Sequence, residues 1–106
     1  MENVVATELK VRQTFDPDLE IYYWRDYQQR EVDFVLKNKT QVKQLIQVSY
    51  NIEDMNTKER ETRSLLKAMK EFKVKEGLII TDDFEGEELI ENKKIIYEPL
   101  WHWLVK

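Results

Sequence analysis

Three consecutive segments constrain the fold of this chain more than any other feature. The run VKQLIQVSY (42–50) reads as a strand. Residues 57–73 space Leu65, Ala68, Met69 and Phe72 at the three-to-four interval of a buried helical stripe, and Leu78-Ile79-Ile80-Thr81 is a short, continuous apolar run. An apolar run of that length suits a strand covered on both faces, which is typical of parallel pairing. Strand, helix and strand in this order make a crossover unit, which is right-handed in nearly all proteins. The chain therefore has to build a sheet with helices packed on it. Asn56-Thr57-Lys58-Glu59 offers a cap-like start to the helix, Glu59 and Arg63 form a favourable i,i+4 pair, and Gly77 is placed to end the segment.

The flanking segments extend this unit. Residues 2–13 (ENVVATELKVRQ) read as a helix whose apolar face gathers Val4, Val5, Leu9 and Val11, with Glu8 and Arg12 falling inside that face. Phe15-Asp16-Pro17-Asp18 breaks it, because proline disfavours helical backbone in the residue before it. LEIYYWR (19–25), EVDFVLK (31–37) and the 42–50 run are joined by short polar turns at Asp26–Arg30 and around Asn38, which favours an antiparallel three-strand meander. Residues 82–93 are acidic and loop-like. KIIYE (94–98) reads as a final strand, and Pro99 opens a last helical turn in which Trp101, Trp103, Leu104 and Val105 supply apolar packing. The expected order is α-β-β-β-α-β-β-α in one α/β domain over residues 1–106.

Composition narrows the functional classes. Twelve aromatic residues exclude a disordered polyelectrolyte. Without cysteine, disulfides and thiolate metal sites are excluded, and a cytoplasmic setting fits. No apolar run reaches the roughly 18–20 residues that span a membrane, so no membrane partner is expected. The net charge of −4 argues against binding nucleic acid chiefly through phosphates.

Asp33, Gln47 and Ser49 are out of character for their strands. Asp is a poor strand former, and a buried polar group is costly unless it is paired. Alternation sends Gln47 and Ser49 to one side, Asp33 on the neighbouring strand can reach that side, and Glu8 projects from a helix that must pack on the sheet. The four are expected to converge. A carboxylate on one strand with polar residues at i and i+2 on the next is the arrangement of a metal-dependent nuclease. There the pair is acidic-x-Lys, two carboxylates hold Mg²⁺, and the lysine orients or activates water.

The stretches MENVVATEL, EIYYWR with EVDFVLK, LIQVSY, the Thr57–Phe72 helix, EGLIIT and PLWHWLV resemble the C-terminal domain, of unknown function, of a large group of prokaryotic AAA-type ATPases. That domain is similar to the PD-(D/E)XK nuclease superfamily. The resemblance covers nearly the whole chain and implies a restriction-endonuclease-like core. It places Asp33 at the motif aspartate, Gln47 at the motif Asp/Glu, Ser49 at the motif lysine, and Glu8 at an acidic position of the first helix. Gln47 and Ser49 depart from the catalytic pattern, so the implied site is degenerate, with no cofactor expected.

Three functions follow as expectations. The first is a non-catalytic interaction module of an ATPase, with the ATPase domain on the same or another chain. The second is an active nuclease with Mg or Mn held by Asp33 and Glu8. The third is a DNA-binding domain that does not cut. The chain has no GxxxxGK[ST] loop and is not expected to bind ATP alone, and its start on a helix suggests, as an expectation, a fragment of a longer ATPase chain or a truncated descendant of one. Several residues read more plainly. Glu8 and Arg12 form an i,i+4 ion pair, and His102 has no catalytic role. Lys58, Arg60, Arg63, Lys67 and Lys70, interleaved with Glu, make a solvated helix face. Trp101 and Trp103 serve packing or an interface, and the final strand with this Trp-rich end could support a homodimer.

Overall fold

Six strands and three helices emerge from this pattern in a computed structural model that describes residues 1–106. In chain order they are α1 (Glu2–Phe15), β1 (Leu19–Arg25), β2 (Glu31–Asn38), β3 (Gln41–Ser49), α2 (Met55–Phe72), β4 (Glu76–Thr81), β5 (Gly86–Ile90), β6 (Lys93–Pro99) and α3 (Leu100–Leu104). The sheet runs β1-β2-β3-β4-β6-β5. β1, β2 and β3 form the antiparallel meander. β3 pairs with β4 in parallel across the α2 crossover, β4 pairs with β6 in parallel, and β5 returns antiparallel on β6. The result is a mixed α/β architecture.

Alternation sorts the core into two layers. Val35 and Leu45 point to the side where α2 contributes Leu65, Ala68 and Met69. Leu36 and Ile46 point to the other, where α1 contributes Val5 and Leu9 and α3 contributes Trp103. β4 is covered on both faces: Ile79 joins the first layer, while Leu78 and Ile80 join the second. No helix is long and apolar enough to cross a membrane.

Four local readings are corrected. The acidic segment 82–93 contains the edge strand β5, closed on β6 by a tight turn in which Glu91 and Asn92 both have positive φ, the geometry that twists a hairpin correctly. The α2 cap is Asp54 rather than Asn56, because its carboxylate accepts from the backbone N–H of Asn56 and Thr57. α2 stops at Lys73, which takes the left-handed conformation (φ 59°). Gly77 instead sits within β4, where a Cβ would lie 2.8 Å from Leu65 Cδ2 and 2.9 Å from Met69 Sδ. On the amphipathic faces, Val4, Val11, Trp101 and Val105 remain exposed, and Val5, Leu9 and Trp103 carry the packing.

Candidate functional site

β2 and β3 stop pairing through their backbones beyond Phe34 and Ile46. On its other edge β2 is bulged: Tyr22 faces Val35 and Trp24 faces Val32, so Tyr23 alone spans Asp33 and Phe34. Such bulges bend a strand and re-aim its side chains. Asp33 therefore occupies the point where the two strands part.

Side chains take over the missing strand-to-strand bonds. The Asp33 backbone N–H donates to Gln47 Oε1 (2.9 Å), Gln47 Nε2 donates to the Glu31 carbonyl (2.8 Å), and the Val48 N–H donates to Asp33 Oδ2 (2.8 Å). Gln47 is 1% exposed, so its amide, with both ends bonded, carries no desolvation debt. This accounts for two of the polar residues in the strands. Ser49, the last residue of β3, is also buried.

A polar cavity of about 420 Å³ opens over this junction, and its walls include Arg30, Glu31, Asp33, Gln47, Arg60 and Glu61. Burial is the main cause that lifts the Asp33 pKa from an ordinary 3.8 to about 6, and the carboxylates of Glu2, Glu61 and Glu31 add to it against the Val48 N–H bond. Burial also raises the Glu61 pKa, opposed by Arg60.

Glu8 does not join this group. α1 packs on the opposite layer, and the Glu8 carboxylate accepts from Arg12 Nε at 2.9 Å. Arg12 in turn donates to the Trp103 carbonyl (3.1 Å) and lies 4.3 Å from the centre of the Trp103 ring. Of the four residues expected to converge, Asp33 and Gln47 are hydrogen-bonded, Glu8 lies apart, and Ser49 is buried without lining the cavity. The carboxylates whose charges act on Asp33 are those of Glu2, Glu31 and Glu61. Two of these carry a signal in the sequence: Glu2 is in phase with Val5 and Leu9, and Glu61 with Leu65 and Ala68, so each is a charge on a packing stripe. The reading of Arg60 as part of a solvated face missed that it borders the same cavity.

The residues at the nuclease-like positions do not fit a divalent ion as a donor set. Gln47 Oε1 is committed to the Asp33 N–H, one Asp33 oxygen to Val48, and Glu8 to Arg12. No group of three or more His, Cys, Asp or Glu side chains gathers in a way that could hold a metal.

The raised pKa has a direct consequence. Between about pH 4 and pH 6 the folded chain keeps a proton on Asp33 that the unfolded chain has released. The stability this group supplies is fully present below pH 3.8 and is lost as pH rises to about 6. Asp33→Asn keeps an oxygen for the Val48 N–H and removes the charge. The variant is expected to be more stable than the wild type at pH 7 by about 1–2 kcal/mol, a full-shift value of about 3 kcal/mol reduced for contact with water. The difference should vanish near pH 4. Urea titrations at both pH values check it, and equal stability at pH 7 would contradict the assignment.

Comparison with known proteins gives no match among curated proteins or solved structures. Residues 1–101 match a family described as Domain of unknown function (DUF4143). That match takes in all of α1, β1 to β6 and the start of α3, so the Asp33–Gln47 junction and its cavity lie inside it. The chain belongs to the DUF4143 family.

Proposed function

We propose that this domain is a non-catalytic accessory module with a restriction-endonuclease-like core, working as an interaction unit beside an ATPase domain on the same or another chain. The observation that carries the reading is the use of Gln47. A nuclease needs a charged oxygen at that position to hold its metal, and here a neutral amide is spent at both ends on the β2 backbone. The fold supports the reading through its α1, three-strand meander, α2 crossover and parallel β4. The ATPase partnership rests on the sequence resemblance, and a homodimer through the Trp-rich end belongs to the same proposal.

The test is metal-dependent cleavage. Supercoiled and single-stranded DNA incubated with the domain in millimolar Mg²⁺ or Mn²⁺ should remain intact, and neither ion should move the melting temperature. Cleavage that requires Mn²⁺ and disappears in Asp33→Ala would overturn the proposal in favour of an active nuclease.

A further inference from the structure

Two hollows meet along the N-terminal half of α2. One is the cavity over Asp33. The other, of about 310 Å³, is lined by Arg30, Asn56, Glu59, Arg60, Arg63 and Ser64, with no hydrophobic side chain among them. Arg30, Arg60 and Ser64 border both. Three arginines therefore border one small concavity, and their charges are unevenly balanced. Arg63 is paired with Glu59, and Arg60 reaches only its neighbour Glu61, at 3.7 Å. Arg30 forms no ion pair at all. Like charges held in one hollow repel, and an anion placed between them removes that cost.

The backbone that carries these arginines is also tied down. Arg30 ends the β1–β2 turn, where Asp26 Oδ1 accepts from the backbone N–H of both Gln28 and Arg30 at 2.9 Å. Lys67 of α2 lies 3.7 Å from the other Asp26 oxygen, which ties the turn to the helix that carries Arg60 and Arg63. The ordering left for an arriving ligand is that of the arginine side chains, not of the backbone that carries them.

The geometry points to a binding site for one compact phosphate group, held by Arg30 and Arg60 with Arg63, Ser64 and Asn56 at its edge. A phosphate presents three terminal oxygens and takes forked bonds from more than one arginine, which a single carboxylate does less well. A nucleic-acid strand fits poorly, because the adjoining floor of Glu31, Asp33 and Glu61 repels the next phosphates along a chain. This site is independent of the metal question, so its failure and that of the proposed accessory role are separate results.

Inorganic phosphate and O-phosphoserine, titrated by calorimetry in chloride buffer, are the probes. Both should bind the wild type, and Arg30→Gln and Arg60→Gln should each weaken binding about tenfold or more. Lys70→Gln, exposed toward the other end of α2, should leave it unchanged. Equal affinities would assign the free ion as ligand, and tenfold tighter phosphoserine would assign a phosphate ester on a larger body. Melting temperatures of the arginine variants in phosphate-free buffer show that they fold. Three results would overturn the site: no heat with either probe, the same affinity in both arginine variants, or binding confined to a long oligonucleotide.

Discussion

Replacing Gln47 by alanine is expected to lower stability by about 2–4 kcal/mol. The substitution removes two hydrogen bonds together and leaves two backbone groups behind, the N–H of Asp33 and the carbonyl of Glu31. Each orphaned buried group costs about 1–3 kcal/mol, and water entering from the neighbouring cavity relieves part of that sum. Chemical denaturation should show a lower midpoint with an unchanged slope, because the same surface is exposed on unfolding. Gln47→Glu separates the two ends of the amide. It keeps an oxygen for the Asp33 N–H, loses the donor to Glu31, and adds a carboxylate beside one that is already reluctant to ionise. Relative to the wild type at the same pH, that variant should be weakest near pH 7 and recover toward pH 5, whereas the deficit of Gln47→Ala should change little with pH. A loss below about 0.5 kcal/mol in Gln47→Ala would mean that the junction does not hold the strands together.

Gly77→Ala should cost about 2–3 kcal/mol, the upper part of the usual range for overpacking. The new methyl meets Leu65 Cγ and Cδ2 at 2.8 Å and Met69 Sδ at 2.9 Å. Both side chains are fully buried, so neither has solvent to retreat into. The contact fixes how closely α2 approaches β4, and forcing it apart disturbs the layer that also holds Leu45 and Ile79. Trimming Leu65 to valine in the same chain should restore part of the loss, a non-additivity that identifies the clash as the cause. Wild-type stability in Gly77→Ala would show that the helix yields easily.

These two positions also show what a sequence discloses and what it withholds. The crossover was legible because 42–50, 57–73 and 78–81 each carry a strong periodicity, and the meander because its turns are short and polar. β5 was not, since Gly86-Glu87-Glu88-Leu89-Ile90 has poor strand propensity and pairs only as an edge on β6. Gly77 read as a helix stop because glycine usually ends helices. Its real constraint, the approach of Leu65 and Met69, is tertiary. In the site, Asp33 and Gln47 stood out because polar residues interrupt apolar strands. Their partnership depends on a bulge that no local pattern announces. Glu8 was placed by analogy at an acidic position of the first helix. It is the charge of Glu2, at the N-terminal end of the same helix, that acts on Asp33. Arg30 and Arg60 lie 30 residues apart, and only the packing of a turn against a helix brings them to one hollow.

The bond from Arg12 to the Trp103 carbonyl closes a loop of 91 residues. A contact of such long range forms late, since most of the chain must be in place before its two ends meet. During synthesis, α1 emerges before Leu36, Ile46, Leu78, Ile80 and Trp103, the buried residues that share a layer with Val5 and Leu9. α1 is therefore made ahead of every element that packs on it, and its packing is completed only by α3. A nascent chain halted before Trp103 would leave the Trp103 share of this layer open and Arg12 without its carbonyl partner.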